Sequence, residues 1–277
     1  MKQLLFLLIA VSTCLFDVSK VQARENVMDW YIEDFRTEFD VRADSTMTVT
    51  ERITADCGEC VGKHGIFRVV PTAVQTPEGD IETPVALISI TDFAGRPHKF
   101  EETRNTSDDT ITWKIGDPDK TVTGVNEYQI VYVVRNVIRD QGEFHEWYWN
   151  IVGNFWDLPI DNFIGTVRFP DGVTQTTTEL NLYSGALGTT SNQIAAARWD
   201  NDHTLVVKST QGLALREGIT VSASFPTTIF TPYQFSWWEL YGPYLWFLIP
   251  VVMGIYLYRM WRRYGDDPAW DKPVIAE

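Results

Sequence analysis

Phe39 to Thr54 reads FDVRADSTMTVTERIT, and this stretch decides the fold class. Met47, Val49, Glu51 and Ile53 alternate with Thr48, Thr50 and Arg52, and Phe35, Phe39 and Val41 alternate with polar neighbours ahead of them. A period of two puts successive side chains on opposite faces of a strand. Asp44-Ser45 between the two runs is turn chemistry. The stretch therefore predicts a β-hairpin.

The same period continues over residues 84–91, 110–115, 128–138, 163–169, 179–183, 204–209 and 219–225. Gly, Pro and Asp punctuate these runs at 92–97, 116–120 and 170–173. No long window has a helical period; only 191–197 suggests one short helix. Many short strands between turn signals predict an all-β fold, an antiparallel β-sandwich-like domain over 24–235. A division into two β-subdomains near 171–178 stays open.

The two ends read differently. Lys2 precedes an apolar run over 4–15, and Val21-Gln22-Ala23 supplies a small-residue end. This pattern predicts a cleaved secretory signal peptide over 1–23. Residues 243–258 carry no charge. With the preceding seven residues they make about 34 Å of helix, enough to cross a bilayer. A transmembrane helix is predicted over 236–260. Trp237, Trp238 and Tyr241 flank one end, and Tyr256, Tyr258 and Trp261 the other, as aromatic belts do. Arg259, Arg262 and Arg263 then place the short tail, 261–277, in the cytoplasm. The expectation is a single-pass protein of the plasma membrane, N-terminus outside, with its main domain extracytoplasmic.

Charge fits that division. Of 37 acids and 23 bases, six of each lie outside 24–236, leaving 31 acids and 17 bases, a net −14. Such a surface repels nucleic acid phosphates.

Five stretches, in order, resemble one known family: MTVTERIT, HGIFRVVPT, ITWKIGDPDKTVTGVNEYQIVYVVRNVI, EWYWNIVGNFWDLPI and GITVSASFP. They are similar to the predicted membrane proteins whose external region is catalogued as domain of unknown function 2207 (DUF2207). The resemblance covers roughly residues 28–270 and extends to Gly265-Asp266-Asp267-Pro268. It implies a bacterial or archaeal protein with an exported β domain on a membrane anchor, and it implies no activity. Members of the family continue into further membrane helices, so a chain ending at Glu277 reads as truncated. The Cys57/Cys60 pair reads as an addition to the shared pattern.

Three groups of residues are candidates for function. Cys57 and Cys60, outside the cytoplasm, are expected to form a disulfide that staples a loop. The alternatives are a redox pair, a zinc site to which His64 would add a third ligand with the fourth missing, and a free pair of thiols. In HGIFR, Arg68 either pairs with an acid, Glu51 or Glu146, within a structural loop, or joins His64 in recognising an anionic group. In the aromatic run, Trp147, Trp149, Asn150 and Trp156 either fill the core or form a platform for a sugar or a partner side chain. No GxSxG, HExxH or phosphate loop is present. No catalytic residue, cofactor or metal is expected. The leading expectation is a membrane-anchored binding module for a partner protein or an envelope glycan. An envelope hydrolase or metal-dependent enzyme, and a structural subunit of a membrane assembly, are the alternatives.

Overall fold

The computed structural model describes residues 29–76 and 79–265. The expected signal peptide and the tail beyond Gly265 lie outside these residues. Among the described residues, sixteen strands run in order: β1 (Tyr31–Val41), β2 (Thr46–Asp56), β3 (Gly65–Pro71), β4 (Ala73–Thr76), β5 (Gly79–Glu82), β6 (Val85–Thr91), β7 (Phe100–Asn105) and β8 (Thr110–Gly116). Then come β9 (Val125–Arg135), β10 (Ile138–Asp140), β11 (His145–Asn150), β12 (Ile160–Arg168), β13 (Glu179–Ala186), β14 (Ala195–Asn201), β15 (Thr204–Ser209) and β16 (Glu217–Phe225).

The largest sheet has the order β14-β15-β12-β1-β2-β9-β6. It is antiparallel throughout except where β12 runs parallel to β1. The alternation read in the hairpin sets its buried face: Phe35 and Phe39 of β1, and Met47, Val49 and Ile53 of β2, all point into the core. Two smaller sheets cover that face side by side. The sheet β10-β11-β16-β13 lies over the β1 side, where Trp147 meets Phe39 with ring centroids 6.1 Å apart. The sheet β3-β8-β7 lies over the β9 side, where Trp113 meets Tyr132 at 5.3 Å. One continuous apolar cluster joins all three sheets. The result is a sandwich of one wide layer against two narrow ones.

The helix suggested at 191–197 is not formed. Residues from Ala195 onward are β14, hydrogen-bonded along β15. Three alanines favour a helix locally, but that preference is weak against a sheet edge that offers every backbone group a partner. Gly65 to Arg68 of HGIFR open strand β3, with His64 just ahead of it.

After β16 the chain returns to the end of the sandwich where β1 turns into β2. The Ser45 hydroxyl donates to the Thr231 carbonyl at 2.6 Å, and the Thr231 amide donates to Ala43 at 2.8 Å. Helix α1 (Trp237–Tyr241) starts at a capping box between Ser236 and Glu239. A 3-10 turn (Gly242–Phe247) with proline in its first turn leads into α2 (Leu248–Tyr264). Tyr244–Tyr264 is long and apolar enough to cross a membrane, and none of it is buried against the domain.

Candidate functional site at the HGIFR strand

Strand β3 turns its side chains alternately inward and outward, and its two faces meet different surroundings. Ile66, Arg68 and Val70 point in, while Phe67 points out.

On the inner face Arg68 is 4% exposed and Glu51 of β2 is 1% exposed. Arg68 Nε donates to Glu51 Oε2 at 2.7 Å, and Nη2 donates to Oε1 at 2.5 Å. The Tyr132 hydroxyl of β9 donates to the same Oε1 at 2.8 Å, and Arg68 Nη1 donates to the Val69 carbonyl at 3.1 Å. The guanidinium carbon lies 4.9 Å from the centre of the Trp156 ring. A Cβ on Gly153 would come within 3.0 Å of Nη1. Burial acts against the Arg68 charge, but the Glu51 carboxylate outweighs it and holds the guanidinium above its usual pKa. Burial and the neighbouring Glu51 charge push the Tyr132 hydroxyl well above its usual value. Buried charge persists only where it is paired and hydrogen-bonded, and this pair is both. Of the two roles open to Arg68, the pair with Glu51 is the one formed, and the anion-recognising one is corrected: the fork of its guanidinium is taken by Glu51.

The aromatic run is corrected in the same way. Trp147, Trp149 and Trp156 are all buried, so they form no exposed platform. Trp147 packs on Phe39 and Phe169, and Trp156 Nε1 donates to the Val152 carbonyl at 3.1 Å. Asn150 is a turn residue: its Oδ1 accepts from the Gly153 amide at 2.8 Å, and its Nδ2 donates to Asn154 at 2.5 Å. Outward on β11 is Tyr148, under the Arg139 guanidinium at 4.6 Å.

Cys57 and Cys60 are disulfide-bonded, closing a turn in which the Cys60 amide donates to the Cys57 carbonyl. The thiolates a zinc site would need are therefore absent. Among the described residues no group of three or more His, Cys, Asp or Glu is arranged to hold a metal. His64 is held through Nδ1 by the Lys120 carbonyl at 2.9 Å and the Asp117 carbonyl at 3.3 Å. The structure thus separates His64 from Arg68: one is at the strand's rim, the other in the core.

On the outer side lies a groove of about 860 Å³ at the start of β3, the start of β7 and the end of β8. Lys63, His64, Phe67, Lys99, Phe100 and Lys114 line it, with Glu101 the one acidic side chain among its walls. Phe67 is 57% exposed and Phe100 45%. Lys63 pairs with Asp29 at 3.1 Å, and Lys99 with Asp117 at 2.8 Å. Hydrogen bonding from Lys99 and from the Asp119 amide holds the Asp117 carboxyl below its usual pKa. Lys114 has no carboxylate in ion-pair range among the described residues. Its cross-strand neighbours are Phe67 on one side and Glu101 on the other. The two strands close at Gly65 and Gly116. A Cβ on either would stand 1.9 Å from the facing carbonyl oxygen, and both have positive φ. Sequence reasoning found His64 here but missed Phe67, Phe100 and the lysines. Their signal was present in the alternation of HGIFR, which puts Phe67 opposite in facing to Arg68.

The groove and the root of the helix lie at opposite ends of the long strands. Arg135 at the end of β9 pairs with Glu239 at 3.0 Å, beside the β1–β2 turn. Asp56 and Val125, at the other ends of β2 and β9, adjoin the loops that carry Lys63 and Pro118. Ten residue steps of strand separate the two ends by roughly 33 Å.

The buried cluster gathers four separate stretches of the sequence. Glu51 comes from MTVTERIT, Arg68 from HGIFR, Tyr132 from YQIVYVV, and Gly153 and Trp156 from NIVGNFW. A sequence model of the family described as "Predicted membrane protein (DUF2207) N-terminal domain" matches residues 31–225, which contain all four. The chain belongs to this family. A curated relative is the uncharacterized protein YciQ of Escherichia coli (strain K12), 26% identical over 185 residues. That alignment spans 62% of this chain and 28% of YciQ. Among solved structures, a putative protease from Parabacteroides distasonis aligns at a TM-score of 0.40 and 9% identity, over 70% of this chain and 40% of that one. The LTA4 hydrolase of Saccharomyces cerevisiae, native, aligns at 0.40 and 8%, over 71% and 30%. Likenesses this distant carry no argument about activity in this member of DUF2207.

Proposed function

We propose that this DUF2207 protein is a membrane-anchored binding module, and that the groove beside Phe67 is its ligand site. In this reading residues 1–23 are a cleaved signal peptide, the β domain lies outside the plasma membrane, and the Tyr244–Tyr264 helix anchors it. The observation that carries the reading is the placement of the groove. It opens at the end of the sandwich opposite the helix root, about 33 Å along the strands. It combines two exposed phenylalanines with cationic side chains in a domain of net charge −14. Exposed aromatic side chains in a concave site are what a recognition surface needs. The remote placement favours a ligand or partner met in the aqueous phase over the lipids of the anchoring bilayer.

The test is photo-crosslinking of the full chain in membranes, with a photoreactive phenylalanine at position 67. The same probe at Ile164, exposed on β12 of the wide sheet, is the control. A discrete adduct from position 67 and none from position 164 is expected. The same products from both positions, or none from either, would overturn the reading.

A further inference from the structure

Resting on the groove as ligand site, we propose that its ligand is a small amphiphile with one acidic group on an apolar body, held by Lys114 beside Phe67. The argument is one of charge. Of the five lysines within 24–236 (Lys63, Lys99, Lys114, Lys120 and Lys208), three line this groove. Two of those three are neutralised in place, Lys63 by Asp29 and Lys99 by Asp117. Of these three, only Lys114 stands without a carboxylate in range among the described residues. Glu101 is its cross-strand neighbour in register, yet the two form no ion pair.

Lys114 is also placed beside apolar surface. It is directly across from Phe67 in the β3–β8 ladder. Phe100 pairs with the buried Ile115 across the β7–β8 ladder, so it borders the groove from the other face of the strands. One ammonium beside an exposed ring matches a ligand with one anionic head and one hydrocarbon body. A polyanion would leave charges unmatched, and a neutral apolar body would leave the ammonium partly desolvated without a counter-charge. The volume, about 860 Å³, suits a small molecule. A charge-assisted hydrogen bond from Lys114 to an acid group supplies the specificity for the head.

The test uses the full chain in lipid nanodiscs, with empty discs as the blank. Ligand-observed NMR titration compares 3-phenylpropionate with 3-phenylpropan-1-ol, the same body with a neutral head. The acid is expected to bind at least roughly tenfold tighter than the alcohol, the worth of one charge-assisted hydrogen bond. Lys114→Gln should remove that preference, the acid falling to the affinity of the alcohol; Phe67→Ala should weaken both. Both side chains are exposed, so these variants keep the fold. No preference for the acid, or a preference that survives in Lys114→Gln, would overturn the proposal. Such a result beside a specific adduct from position 67 would reject the ligand class and keep the site. Loss of both would reject the site itself.

Discussion

Arg68 and Phe67 are neighbours on one strand and belong to different problems. Arg68 faces the core, where it donates to Glu51 of the wide sheet, whose carboxylate also accepts from the Tyr132 hydroxyl. Phe67 faces the groove and is more than half exposed. The inner side chain joins two sheets; the outer one is free to meet a ligand. A motif of five residues can therefore be rigidly specified for stability and still present a recognition surface.

The comparison can be broken most sharply at Glu51. Glu51→Gln leaves the Arg68 charge buried without its counter-charge, a loss of about 3–5 kcal/mol. Thermal unfolding of the full chain in detergent, followed by tryptophan fluorescence, should show a large fall in midpoint. Replacing both residues at once with apolar side chains of similar size should recover most of it, because the pair's desolvation cost disappears with its attraction. Failure of the double variant to recover would show that the geometry of the pair, rather than uncompensated charge, is what the core requires.

Gly116→Ala comes next. The new Cβ would overlap the His64 carbonyl, so the ends of β3 and β8 must part or strain. The expected cost is about 1–3 kcal/mol. Because this end is also the groove, the variant should lose ligand binding together with stability, linking the two faces where Glu51→Gln does not.

Removing the disulfide as Cys57→Ser with Cys60→Ser should cost about 2 kcal/mol by the loop-entropy estimate for so short a loop. The midpoint of the oxidised chain in reductant should move by the same amount as that of the double variant. Arg135→Gln, at the opposite end, breaks the partly exposed pair with Glu239 and should cost no more than about 1 kcal/mol. Its readout is orientational: spin labels on the domain and on α2 should show a broader distance distribution than in the native chain.

Much of the fold was legible because one-sided burial writes a period of two. The hairpin of β1 and β2, and the strands near 204–209 and 219–225, follow that period closely. Of the strands that escaped it, three did so for plain physical reasons. Strand β7 is exposed at every residue, so nothing alternates. Strand β14 is rich in alanine, whose helical preference yields to pairing with β15. Strand β3 carries an arginine at an inward position, which reads as a break in the apolar face until its partner is known. That partner, Glu51, stood in the apolar register of β2, and each charge explains the other. In the aromatic run the alternation was legible but the choice of buried face was not, and the structure turns the tryptophans inward and Tyr148 outward. The groove was hidden because β3, β7 and β8 meet only in three dimensions.

The most direct test of the account measures Phe67→Ser and Arg68→Met side by side by thermal unfolding of the full chain. The expected result is an unchanged midpoint for Phe67→Ser, within about 0.5 kcal/mol, and a large loss for Arg68→Met. Equal losses in the two variants, or an Arg68→Met chain as stable as the native one, would contradict the division of the strand into a structural face and a recognition face.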